Sequence, residues 1–188
     1  MLVTFAILFG TTSAAAARRH RLTSCGAGVA AGLLALAYGP APILPVLLLA
    51  VPVAAALAEI DLCSLRLPDP LVAMLAAVLG VPLTLGGAGA LRAATAAVLV
   101  GLAYLVIAML PGRGLGLGDV KLAAVLSYAL GFAGWPAVIV GTAVPHLING
   151  TIAVALLLSH RAGRRTELPL GPALLVGALV AAVYRSRS

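Results

Sequence analysis

The sequence predicts an all-α fold. It reads as a polytopic integral membrane helical bundle of about eight hydrophobic spans, bounded between six and eight, in a single domain over residues 1–188. Three observations predict it. Hydrophobic residues make up 63% of the chain and charged residues only 9%, too few to cover a soluble surface, and too apolar for a disordered chain. The apolar runs are continuous rather than alternating in stretches of about ten, so spanning helices fit and a membrane β-barrel does not. Aromatics are only 4%, and Ala, Leu, Val and Gly dominate, which suits helices that pack closely through small residues.

The elements follow in order. Residues 2–17 read as a short first span. It is followed by Arg18, Arg19, His20 and Arg21, whereas a secretory signal carries its positive charge ahead of the apolar stretch. A second span covers about 22–38, with Gly28 and Gly32 at GxxxG spacing. Gly39-Pro40-Ala41-Pro42 turns the chain. A third span covers about 43–60, and Pro45 and Pro52 inside it are expected to kink it. A dense polar segment, Glu59 to Pro70, comes next. A fourth span covers about 70–86, and a glycine-rich turn leads to a fifth at about 91–110. A second polar segment, Pro111 to Lys121, precedes a short sixth span at about 119–131. Gly134-Trp135-Pro136 turns into a seventh span at about 137–158. A basic loop with His160, Arg161, Arg164 and Arg165 leads to an eighth at about 170–184.

With the N-terminus outside, this order puts nine of the twelve basic residues in cytoplasmic loops and leaves Arg92, Arg185 and Arg187 outside. The positive-inside rule supports that orientation. The net charge of +7 is therefore read as a topology signal. A nucleic-acid partner is not expected, because no soluble region exists to carry such a surface. The partner common to every span is the lipid bilayer.

All five acids, Glu59, Asp61, Asp69, Asp119 and Glu167, fall on the cytoplasmic side of this topology. A carboxylate at mid-membrane costs about 2.5–3.5 kcal/mol, and less at a helix end. Asp61 follows the apolar run of the third span, and Asp119 precedes that of the sixth. The third span ends on the side where the sixth begins, so both acids lie at one depth on different helices. If they meet, they cannot both stay ionised, and the pair shares a proton. Such a pair holds a water between a carboxylate that takes its proton and an acid that polarises a peptide carbonyl, which is hydrolysis without a covalent intermediate. The alternative is that each aspartate caps a helix or pairs with a nearby cation. Gly112, Gly114, Gly116 and Gly118 alternate before Asp119. They would let an extended backbone approach the acid, or serve as a plain connection.

Other chemistry finds little support. There is no GxSxG elbow, no GxxxxGK[ST] loop and no HExxH pair. Cys25 and Cys63 form no CxxC, and they read as a small buried hydrophobe and a free thiol at the membrane edge. No cofactor and no metal are expected. His146, which follows Pro145 and precedes Asn149, reads as a helix-packing hydrogen bond rather than a ligand. Lys121 is either an interfacial anchor or a charge that tunes the aspartates.

Gly116-Leu117-Gly118-Asp119-Val120-Lys121-Leu122 resembles the GxGD motif of the type IV prepilin peptidases, in particular their short relatives that process Flp-type prepilins. The segment from Ile60-Asp61 to Leu67-Pro68-Asp69-Pro70-Leu71 is similar to the family's other aspartate segment, and Glu167-Leu168-Pro169-Leu170-Gly171-Pro172-Ala173 to its last-helix signature. The resemblance covers roughly residues 43–184. It implies a GxGD aspartic protease fold and an aspartic endopeptidase with Asp61 and Asp119 as catalytic residues. Gly116, Gly118, Lys121, Pro68 and Asp69 would be motif and substrate-binding positions. It further implies a substrate, a prepilin with a basic leader and an N-terminal hydrophobic helix, cut at the cytoplasmic face of the bacterial or archaeal inner membrane. A pilus or secretion assembly would be the setting. Paired cysteines of the full-length relatives are absent, so peptidase activity without methyl transfer is expected.

Two other readings compete. One is a small proton-coupled transporter, which also uses acids at membrane edges and kinked helices. The other is a structural subunit of a pilus or secretion assembly.

Overall fold

The computed structural model describes residues 14–86, 88–110, 115–159 and 169–186. Among them it holds seven helices and no strand: α1 Ala14–Tyr38, α2 Leu44–Ser64, α3 Asp69–Leu85, α4 Ala90–Met109, α5 Leu117–Ala133, α6 Trp135–Leu158 and α7 Gly171–Ser186. The expected all-helical class holds. Four stretches, His20–Tyr38, Leu44–Ser64, Ala90–Met109 and Trp135–Leu158, are long and apolar enough to cross a membrane, while Asp69–Leu85 and Gly171–Arg185 are shorter apolar helices. A full crossing takes about 20 residues, so the expected spans resolve into four helices of full length and several shorter ones rather than eight equal ones.

Most of the expected first span lies outside the described residues. Its last part and the basic run after it belong to one helix, because α1 continues through Arg18, Arg19, His20 and Arg21 into the expected second span. Helix replaces the loop expected there. Ala and Arg are strong helix formers, and no Gly or Pro interrupts the chain between 14 and 25. A charge cluster sets membrane topology, but it does not by itself break a helix. Pro45 is a second correction. It occupies the first turn of α2, where a missing N–H leaves no carbonyl unserved, and only Pro52 is interior.

The helices run back and forth between two ends. At one end α1 meets α2 through His20 Nδ1 and Glu59 Oε2 at 3.2 Å, α2 meets α7 through Asp61 and Gly171, and α3 meets α5 through Asp69 and Lys121. At the other end Tyr38 donates to the carbonyl of Ala182 at 3.1 Å, and Arg92 of α4 caps the end of α5. The Arg92 guanidinium donates to the carbonyls of Gly131 at 2.6 Å and Phe132 at 2.9 Å, a cation on the negative pole of a helix. Replacing Arg92 by Ala is expected to lower stability by about 1 kcal/mol, seen as a lower melting temperature in detergent.

The short α5 is the hub. It packs against α3, α4, α6 and α7, and buries Leu122, Ala123, Leu126, Ser127, Leu130 and Gly131. Its seam with α4 is made of small residues: Ala93 and Ala96 are fully buried, and a side chain on Gly131 would collide with the backbone of Ala93. Close backbone approach of this kind is the expected packing mode of helices in lipid. Outward-facing Leu36, Leu49, Val98, Leu102, Ile139 and Val154 are exposed, giving the bundle an apolar exterior suited to acyl chains.

Candidate active site

The site is assembled at the end where α2 and α4 finish and α3, α5 and α7 begin. Asp61 occupies the last turn of α2 and is only 3% exposed. The helix stops at Ser64 because Leu65 turns left-handed (φ 52°, ψ 28°), with its N–H donating to the carbonyl of Asp61 at 2.9 Å. Leu65, Arg66 and Leu67 then carry the chain to Pro68, whose extended backbone (φ −70°, ψ 124°) starts α3. The carbonyl of Pro68 receives the N–H groups of Leu71 and Val72. Asp69 lies in the first turn of α3, a favourable place for an acid on the positive pole of a helix.

Gly116 precedes α5, and Asp119 sits in its first turn. The Asp119 carboxyl turns back toward Gly116, its Oδ2 3.5 Å from where a Cβ at 116 would stand, so it faces the positive pole of α5. The first-turn placement that the sequence offered as the alternative is observed, yet it does not account for the whole carboxyl group. Oδ1 of Asp119 is buried with no hydrogen-bond partner among the described residues, an expensive state for a carboxyl oxygen unless something else occupies the site.

Asp61 is held from the opposite side. The N–H of Gly171, at the start of α7, donates to Asp61 Oδ2 at 2.9 Å, so the carboxyl stands at a helix N-terminus, where an anion is stabilised. Gly171 is required to be glycine here: a Cβ at this position would lie 2.8 Å from Asp61 Oδ2 and 3.1 Å from Cγ. Asp61 and Asp119 line one cavity of about 230 Å³, together with Leu65, Arg66, Leu67, Gly116, Leu117 and Gly118. A water takes about 30 Å³ in the liquid, so the cavity has room for several waters beside the two acids.

Of the residues singled out from sequence, Asp61, Asp119, Gly116 and Gly118 line this cavity. Pro68, Asp69 and Lys121 do not. Lys121 Nζ donates to both carboxyl oxygens of Asp69 at 2.8 Å and so ties the first turns of α3 and α5 together beside the cavity. Its charge is engaged by Asp69 and not by the acid pair. The ion pair is half exposed or more on both sides, so Lys121→Met is expected to lower stability by no more than about 1 kcal/mol, readable as a small drop in melting temperature. Gly118 also departs from expectation. The space its missing side chain leaves is filled by Leu67, whose Cβ would lie 2.8 Å from a Cβ at 118, so this glycine admits the 65–67 turn rather than an incoming strand. Gly112, Gly114 and Glu167 lie outside the described residues. Cys25 is exposed, not buried, and Cys63 is an exposed thiol near the end of α2.

Three participants carried no functional reading in sequence. Arg66 and Leu67 enter the cavity wall only because α2 ends in a left-handed turn at a leucine, for which the sequence offers no signal. The N–H of Gly171 acts across a separation of 110 residues; the sequence placed this glycine within the segment similar to a last-helix signature, but gave no sign that it would touch Asp61. Among the described residues no three His, Cys, Asp or Glu side chains group closely enough to hold a metal ion.

No curated protein and no solved structure matches the chain. A family model does. The model of the type IV leader peptidase family matches residues 48–156, a stretch that includes Asp61, Asp69, Asp119 and Lys121 and more than half of the chain. The protein is a membrane-type helical peptidase, and the chain belongs to the type IV leader peptidase family.

Proposed function

We propose that the protein is an aspartic endopeptidase that removes the basic leader of Flp-like type IV prepilins at the cytoplasmic face of the inner membrane, with Asp61 and Asp119 as its catalytic pair. The shared cavity carries this reading: two acids from helices far apart in sequence open onto one space, and Asp61 is held there by the backbone N–H of Gly171 on a third helix. A family of leader peptidases supplies the reaction class.

The pair holds one proton between two carboxyl groups. A water lodged between them loses its proton to the carboxylate, and its oxygen attacks the scissile carbonyl carbon. The protonated partner donates to the carbonyl oxygen. Collapse of the tetrahedral intermediate breaks the C–N bond, and a proton from the pair passes to the leaving amine, so no covalent enzyme intermediate forms. The rate then falls on both sides of an optimum. At low pH both acids are protonated and no base remains; at high pH the shared proton is lost and no acid remains. A rate that climbs steadily through the acidic and neutral range would contradict the shared proton, and a bell-shaped profile supports it.

Orientation rests on charge. Arg21, Arg66 and Lys121 lie at the site end, and Arg92 and Arg185 at the other; the basic run within α1, Arg18 and Arg19, also begins at the site end. This bias favours a cytoplasmic site. The substrate's own hydrophobic helix would lie along the apolar flank of the bundle, leaving its basic leader in water. The test is co-expression with a candidate prepilin followed by N-terminal sequencing of the product. A mature chain beginning at its hydrophobic helix is expected, and an intact leader in the presence of folded protein would overturn the reading.

A further inference from the structure

Among its described lining residues the cavity holds two acids and one cation, Arg66. The turn that carries Arg66 is fixed at three points. The N–H of Leu65 donates to the carbonyl of Asp61 at 2.9 Å. The Ser64 hydroxyl lies 2.8 Å from the carbonyl oxygen of Ile60 and 3.2 Å from that of Arg66, which ties the turn back to α2. Leu67 fills the space left by the missing side chain of Gly118 on α5. Leu65 itself holds a left-handed backbone (φ 52°), a costly conformation for a residue with a Cβ. Such strain persists only where the surroundings impose it, and it clusters at ligand sites. Here it lets residues 65–67 close one wall of the cavity.

The charge of Arg66 has no partner among the described residues. The ion pairs there are His20–Glu59 and Lys121–Asp69, so Lys121, the other cation beside the cavity, is taken and Arg66 is not. Arg66 is exposed and open to a ligand that enters the cavity. The hydrolysis proposed above creates a matching anion at this place. It turns a neutral peptide group into a carboxylate at the end of the leader and an amine on the mature chain. That carboxylate forms beside Asp61 and Asp119, where a further negative charge is repelled. A cation in the same wall offsets the repulsion.

We propose that Arg66 forms a carboxylate subsite of the cavity, in which its guanidinium pairs with the new C-terminus of the cleaved leader. Two N–H groups of the planar fork can bind two carboxylate oxygens in parallel. The scissile peptide group carries no charge before cleavage, so the subsite acts on the product far more than on the substrate. This assignment rests on the aspartic peptidase reading above.

The test measures direct binding of two synthetic leader peptides to the full chain in detergent. Both peptides carry the same basic residues; one ends in its carboxylate and the other in an amide. Arg66→Gln is expected to weaken the carboxylate peptide roughly tenfold and to change the amide peptide by less than about twofold. Equal effects on the two peptides, or none on either, would overturn the subsite. Uncleaved prepilin is measured in the Asp119→Asn background, where it should stay intact, and Arg66→Gln is expected to leave its binding within about twofold. A loss there as large as that of the carboxylate peptide would also overturn the subsite, since the anion would then be a side chain of the substrate. Prepilin cleavage by the wild-type chain is assayed in parallel. Its absence would sink the peptidase reading, whereas the peptide comparison bears on Arg66, so the two failures are distinct. Should Arg66→Gln not fold, Arg66→Lys keeps the charge and removes the fork. A loss confined to the carboxylate peptide then upholds the assignment, and an equal or absent loss rejects it.

Discussion

Asp119→Asn is expected to abolish leader cleavage, with kcat lowered by about a thousandfold or more, and Asp61→Asn to do the same. General acid–base assistance is worth about 10²–10⁴ in rate, and an amide can neither take the proton of a water nor give one to a carbonyl oxygen at neutral pH. The change is nearly isosteric. In Asp61→Asn the new amide oxygen could still accept the N–H of Gly171, and Asp119→Asn keeps a polar group of the same shape in the first turn of α5, so the fold should survive both changes. Single-turnover cleavage in detergent, with binding of the uncleaved prepilin measured separately, checks this outcome. Binding should persist while chemistry stops. Cleavage at more than a few per cent of the wild-type rate by either variant would remove that residue from the reaction.

The second large effect is expected at a residue that carries no ionisable group. Gly171→Ala places a methyl 2.8 Å from Asp61 Oδ2 and 3.3 Å from its Cβ. Asp61 is at the end of α2 in a packed setting and Gly171 is buried, so neither can yield without cost. The carboxyl must rotate away or α7 must slide, and either movement weakens the 2.9 Å bond from the Gly171 N–H. Overpacking of this kind costs about 1–3 kcal/mol, and a displacement near 1 Å at a catalytic group costs about a hundredfold in rate. Gly171→Ala should therefore lose about two orders of magnitude in kcat along with several degrees of melting temperature. A control at Gly150, where a Cβ meets nothing within 4 Å among the described residues, should leave rate and stability near wild type. An unaffected Gly171→Ala would mean that the link between α7 and Asp61 does not matter to turnover.

Much of the architecture was legible in the sequence because punctuation is strong in this chain. Gly39-Pro40, Pro68, Gly89, Gly116 and Gly134 each stand at a helix boundary, and the expected spans at 70–86, 91–110 and 137–158 fall within two residues of α3, α4 and α6. The first two spans were misjudged for a physical reason: charge is a membrane signal, whereas helix continuity depends on backbone propensity, and α1 runs through its four basic positions. That Asp61 and Asp119 would open onto one cavity could be anticipated from depth alone, since both lie at ends of apolar runs on one side. What completes the site was hidden. The Lys121–Asp69 pair, 52 residues apart, and the Gly171 N–H are products of helix packing, and no periodicity in one segment specifies which turn of another it will touch.

The central claim is that Asp61 and Asp119 act as one unit around a single water, and a double-mutant cycle measures it. Initial rates of prepilin cleavage would be compared for wild type, Asp61→Asn, Asp119→Asn and the double variant. If the carboxyl groups work together, the double variant loses about as much as either single one, because the first substitution already disables the pair. Losses that multiply, each substitution lowering the rate by its own factor whether or not the other acid is present, would show two independent residues and contradict the account.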